Sequence, residues 1–171
     1  MNKFNFISIG IIFFIVTIFV GCKNSQNDEI IYFGIAQKPQ TLDPRFSSDA
    51  ASERLSSLIY TPLIFFNEDF TVGSNLVKIK KISSKRFSFT LTKNPPNFHN
   101  GAILGIDDII STIRHLMNSS ASPYSNELKI VSAVNKISVN IFEILLKKSD
   151  HNFLSKLSFS ILPKSHIESG H

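Results

Sequence analysis

Few residues in this 171-residue chain are placed to do chemistry. It has one cysteine, Cys22, and five histidines, of which His99 lies in the run Phe98-His99-Asn100-Gly101. Asp107 and Asp108 form an adjacent carboxylate pair, and serines gather at Ser47-Ser48 and Ser56-Ser57. A metal site needs several ligands at spacings that can close around an ion. His99 has no cysteine or carboxylate at such a spacing, so a turn residue is the simpler role. Adjacent carboxylates point in different directions around a helix, and Asp107-Asp108 suits the positive N-terminal end of one. The serines and histidines form no Gly-x-Ser-x-Gly elbow, no His-Glu-x-x-His helix and no phosphate loop. These patterns argue against an enzyme, and no cofactor or metal is expected.

Cys22 is the residue whose surroundings say most. Lys3 precedes an apolar stretch from Ile7 to Val20, and Phe19-Val20-Gly21 leads into Cys22. A positive start, an apolar run and a small residue before a lone cysteine read as a secretory signal of the lipoprotein type. Residues 1–21 are then removed and the Cys22 thiol carries the lipid that anchors the chain to a membrane. Phe19 departs from the aliphatic residue usual at that position. An uncleaved anchor is the alternative, since a span of this length can cross a bilayer. With its only thiol taken by lipid, the chain has no disulfide in its fold. Residues 22–29 are polar and read as a flexible tether.

The formal net charge is +5. Its lysines are scattered, with small clusters at Lys78 to Lys81, Lys85-Arg86 and Lys147-Lys148. No arginine-rich run or aromatic stacking motif accompanies them, which excludes a nucleic-acid partner on sequence grounds.

The remaining residues, 30–171, must supply the fold. Ile30 to Ala36 is an almost continuous apolar run and predicts a buried strand. Pro44 forces Thr41-Leu42-Asp43 into an extended turn. Ser47, Ser48 and Asp49 are capping types before a helix with Ala51, Leu55, Leu58 and Ile59 on its apolar face, closed by Pro62. Leu63 to Phe66, Leu76 to Ile82 and Arg86 to Thr92 predict strands; in the last, Phe87, Phe89 and Leu91 alternate with polar residues. Asp107 to Asn118 predicts a second amphipathic helix, with Gly105 where a side-chain cap is expected. Lys129 to Val134 and Ser138 to Leu146 predict two further strands, and Ser149 to Leu157 a short helix. The class is α/β, with mixed sheets and flanking helices.

Five separated segments carry a resemblance: Thr41-Leu42-Asp43-Pro44, Asn75-Leu76, Phe98-His99-Asn100-Gly101, Ser122-Pro123-Tyr124, and Ile161-Leu162-Pro163 running to Ile167. In this order they resemble the N-terminal part of the family 5 extracellular solute-binding proteins, the receptors of ABC importers for oligopeptides, dipeptides and other solutes. Asn100 stands where the family has aspartate, and Ser165 is inserted in the last segment.

The resemblance implies a periplasmic-binding-protein-like fold, here an incomplete first lobe with its small subdomain, truncated before the second lobe. It implies capture of peptides or another small solute, permease subunits as partners, and a periplasmic or cell-surface location on a lipid anchor. It places Ser47, Ser48, Asp49 and Ala50 at the solute cleft, where the alternative role is helix capping. A cleft with one wall encloses little of a ligand, so the chain is expected to hold solute poorly alone. A remnant that binds nothing, or a structural envelope lipoprotein, is the competing reading.

Overall fold

The computed structural model describes residues 32–169. The signal segment, Cys22 and the tether lie outside the described residues. The chain divides into two units, Met1–Gly34 and Ile35–His171. Of the first, Tyr32, Phe33 and Gly34 are described and belong to no strand.

The second unit begins without regular structure, so the strand expected over Ile30 to Ala36 is not found in its described part, Tyr32 to Ala36. An apolar run becomes a strand only where a neighbour takes its backbone hydrogen bonds, and among the described residues none pairs with this one. Helix α1 follows at Ala50–Ile59. Two short strands, β1 (Phe65–Phe66) and β2 (Val72–Gly73), form a hairpin. Its tip, Asn67 to Thr71, is tied by Asn67 Nδ2 to Thr71 Oγ1 at 2.8 Å and by Asp69 Oδ1 to the Thr71 N–H at 3.0 Å. Phe70 at this tip has φ 61°, a left-handed conformation that a bulky side chain seldom adopts.

The body of the unit is a four-stranded antiparallel sheet in the order β3 (Val77–Ser83), β4 (Arg86–Leu91), β6 (Ile141–Leu146), β5 (Val131–Lys136). Register puts Phe89 opposite Phe142, and Phe87 opposite Ile144, which in turn faces Val134. These residues share one face, and all are buried. Phe89 and Phe142 stack with ring centres 4.8 Å apart, and Phe87 meets Phe153 at 5.0 Å. The opposite face is polar, with Ser88 beside Glu143 and an ion pair of 2.7 Å from Arg86 to Glu143. β3 is an outer strand whose Lys78, Lys80 and Lys81 are exposed. On the other outer strand, β5, the Val134 carbonyl accepts a hydrogen bond from Arg114 at 3.0 Å.

Helix α2 (Ile106–Asn118) covers the apolar face with Ile106, Ile109, Ile110, Ile113 and Leu116. Gly105 has no side chain to cap it, but its N–H donates to Asp108 Oδ2 at 2.8 Å. Asp107 pairs with Lys136 at 2.7 Å. The carboxylate pair thus holds the start of α2. A short helix α3 (Ser125–Leu128) precedes β5, so that strand starts two residues later than its apolar run suggests. The helix expected at Ser149 to Leu157 is a 3-10 turn over Phe153–Leu157, anchored by buried Phe153 and Leu157. The segment after it pairs with the entry to β1: the Leu63 N–H donates to Phe159 O at 2.9 Å and the Ile161 N–H to Thr61 O at 3.0 Å. It closes on α4 (Lys164–Glu168), whose first N–H donates to Asp108 Oδ1 at 2.7 Å.

Candidate functional site

Helix α1 and the turn before it are assembled differently from the sheet. Its inward face is made of serine: Ser52 is 0 % and Ser56 6 % exposed, while Leu58 is 66 % and Ile59 40 % exposed. Of the expected apolar face, Ala51 and Leu55 are half-buried while Leu58 and Ile59 are exposed, so the side that packs most deeply is the serine one. The reason is a set of backbone donors in the preceding loop. The Gln40 and Thr41 N–H groups donate to Ser52 Oγ at 3.0 and 3.1 Å, and Ser52 Oγ donates to Asp49 Oδ2. Ser56 Oγ lies 3.1 Å from Ser47 Oγ. Polar partners in the loop thus match the serine face of the helix, whose buried hydroxyls need hydrogen-bond partners.

Asp49 caps α1, its Oδ1 accepting from the Ala51 and Ser52 N–H groups at 3.1 and 3.0 Å. The Ser52 hydroxyl, and then the Ser52 N–H, hold the Asp49 carboxyl below its ordinary range.

The Asp43-Pro44-Arg45-Phe46 turn closes through the Phe46 N–H to Asp43 O at 3.2 Å. Inside it Arg45, 4 % exposed, grips Asp43: Nε reaches both carboxylate oxygens at 3.0 Å and Nη2 reaches Oδ2 at 2.6 Å. Arg45 also lies over the Phe46 ring, 5.3 Å from its centre, and Nη1 is 3.5 Å from His115 Nε2 near the end of α2. Burial, then the Arg45 charge, push the His115 pKa down, against the weaker pull of Asp43. A neutral imidazole whose Nε2 accepts from Arg45 is the arrangement this favours. The sequence reading passed over Arg45 because a lone arginine reads as surface. The signal available was Asp43-x-Arg45 across Pro44, a spacing that lets the side chains fold back on each other.

Two hollows flank α1. One, of about 390 Å³, is lined by Pro44 and Ser47 of the turn, Glu53, Ser56 and Ser57 of α1, Pro62, Ile64 and Phe65, Tyr124, and Ser158 and Ser160. Burial raises the Tyr124 phenol pKa, aided by the Glu53 and then the Glu127 charge. Tyr124 is held edge-on against Phe159 with ring centres 5.7 Å apart. The other, of about 470 Å³, lies between the end of α1, the Pro96 to Asn100 loop and the Ile161 to Ser169 segment, with His99 and His166 on its wall. His99 sits in a turn closed by the Gly101 N–H to Phe98 O at 2.8 Å, and φ 82° at Gly101 explains a glycine there. Among the described residues no three metal-ligating side chains come together.

The four expected cleft residues stay together but divide by task. Ser47 is buried against Ser56 and Asp49 caps the helix, while Ser48 and Ala50 are exposed.

No family model matches the chain, and no curated relative matches it. Solved structures do. NikZ from Campylobacter jejuni, in complex with Ni(L-His), is 22% identical with a TM-score of 0.65, covering 81% of this chain and 27% of that one. The oligopeptide-binding protein AppA from Bacillus subtilis, with a nonapeptide, is 24% identical with a TM-score of 0.66, covering 73% and 26%. AppA from Clostridium difficile is 26% identical with a TM-score of 0.60, covering 68% and 25%. The chain spans about a quarter of the length of these solved proteins.

Proposed function

We propose, from the premise that the solved proteins with this fold are family 5 solute-binding proteins of ABC importers, that this chain serves solute capture for such an importer. Its cargo on this reading is a peptide, taken up outside the cytoplasmic membrane and passed to permease subunits. Lipid on Cys22 would hold the chain at the membrane after residues 1–21 are removed, with residues 22–29 as tether.

One observation carries the reading. Ser47, at the start of the loop Ser47 to Ala50, lines a hydroxyl-rich hollow of about 390 Å³, within the range of small-molecule sites. Ser47 and Asp49 hold the loop, and Ser48 and Ala50 are exposed outside the lining of the hollow. The hollow is open on one side, so contact is made with one face of the ligand and affinity is expected to be weak.

Thermal unfolding of the chain against pools of di-, tri- and oligopeptides tests this. A rise in melting temperature that grows with peptide concentration supports capture. A cooperative transition that no pool shifts at millimolar concentrations counts against it and favours a structural envelope lipoprotein.

A further inference from the structure

One end of the four-stranded sheet gathers charge that the sequence spreads over three stretches. β3 passes into β4 through the turn Ser83 to Arg86, where Arg86 stands opposite Leu145 of β6 and the Leu146 N–H donates to Lys85 O at 2.8 Å. The next residue, Lys147, donates its N–H to Ile130 O at 2.8 Å and its Nζ to Lys129 O at 2.7 Å, at the entry to β5. Lys81, Lys85, Lys129, Lys147 and Lys148 therefore stand at the same end of the sheet, and all are exposed. We propose that this end is a docking surface for a membrane face rich in anionic phospholipid, an interaction that does not depend on solute capture.

Charge selects the partner. Lys129, Lys147, Lys148 and Lys156 line a hollow of about 630 Å³ at this end, with Glu127 and Asp150 as its acids. Asp150 is paired with Lys156 at 2.8 Å, and Glu143 of β6 with Arg86 at 2.7 Å, so lysines outnumber the acids left to answer them. Lys129 Nζ donates to Asn126 Oδ1 at 2.7 Å; it and Lys147 are steadied by neutral acceptors and keep their charge. The Lys156 hydrogen bond, then the Asn152 N–H, hold the Asp150 carboxyl below its ordinary range, and the charges of Lys156 and Lys148 add to this. At the opposite end of the sheet Lys136 is tied to Asp107, and the turn of residues 137–140 carries no charge. An anionic lipid face rewards several cations near it rather than a fitted shape, and lysines on separate turns supply them. None of the three stretches holds an aromatic side chain, as stacking on a single-stranded nucleic acid requires.

Two dye positions on the full chain test this. The chain carries Cys22→Ser, so that the dye goes only to Ser84→Cys at the basic end or to Ser138→Cys at the opposite end, both exposed. It is added from detergent to vesicles of phosphatidylcholine, alone or with about one third phosphatidylglycerol, whose spin-labelled headgroups quench a dye held at the membrane face. With phosphatidylglycerol the Ser84→Cys dye is expected to be quenched about threefold more than the Ser138→Cys dye, with no difference on phosphatidylcholine alone. Each lysine near an anionic face is worth about fivefold in binding, so Lys81→Gln, Lys85→Gln and Lys148→Gln together should abolish the difference. These three side chains make no hydrogen bond or ion pair among the described residues, and arginine at the same positions should preserve it. Equal quenching at both ends, a difference that persists on phosphatidylcholine alone, or one that survives the three glutamines overturns the docking surface. So does a chain that stays off both vesicles. Each of these outcomes leaves solute capture standing.

Discussion

The sheet with α2 and the turn with α1 are two ways of holding a chain together. The first hides carbon: Phe87, Phe89, Phe142 and Ile144 on one sheet face meet Ile109, Ile110, Ile113 and Leu116 of α2 in a single core. The second hides polar groups that satisfy each other. Arg45 with Asp43, Ser52 with the Gln40 and Thr41 N–H groups, and Ser47 with Ser56 fix the turn on the helix. Apolar packing is tolerant of direction, whereas hydrogen bonds are not, so the second region has the better-defined geometry at its rim. The candidate site lies along that region.

The comparison can be broken most sharply in the core. Phe89→Ala removes a fully buried ring stacked on Phe142, and a loss of about 3–5 kcal/mol in urea unfolding is expected. A loss below about 1 kcal/mol would mean the sheet face is not the core.

A second test sets the faces of α1 against each other. Ser52→Ala deletes a fully buried hydroxyl that accepts two backbone N–H groups, and should cost about 1–3 kcal/mol. Leu58→Ser, on the exposed side, should change stability by less than about 0.5 kcal/mol. The reverse ranking would restore the apolar face that the sequence suggests.

The smallest effect concerns acid. The folded-state pKa of His115 lies below its ordinary value of 6.5, chiefly through burial and then Arg45. The unfolded chain therefore takes up a proton first. The stability that comes from neutral His115 is complete above about 6.5 and is lost as pH falls toward the folded pKa. The lowered Asp49 and Asp107 carboxyls act in a separate window, below their ordinary 3.8. Urea midpoints at pH about 7.5 and about 5.5 should differ in the native chain, and the difference should shrink in His115→Gln, which keeps an acceptor for Arg45. An unchanged difference would show that the imidazole is not what links the turn to α2.

The same contrast explains what was legible in the sequence. Alternation at Phe87, Phe89 and Leu91 gave the β3–β4 hairpin to within a residue at each end, and the isoleucine stripe gave α2. Both signals are local periods. The orientation of α1 was misread because its acceptors serve donors at Gln40 and Thr41, eleven or twelve residues earlier, and no period records that. The predicted strand before the turn failed in its described part for a related reason, since pairing is a property of two segments. Of the turn before α1, the capping role of Asp49 was legible from its residue type. Glu53, Tyr124, Ser158 and Ser160 were not grouped, because only the fold brings three distant stretches to one hollow.

The outer strands of the sheet decide how this molecule meets its own copies. A free strand is a template on which another chain can add itself. On β3 an approaching copy meets Lys78, Lys80 and Lys81 first, and like charges repel before backbone groups come within reach. On β5, Arg114 already occupies the Val134 carbonyl. The lysines that give the chain its basic character therefore also oppose such addition at this edge, and salt, by screening them, weakens that opposition.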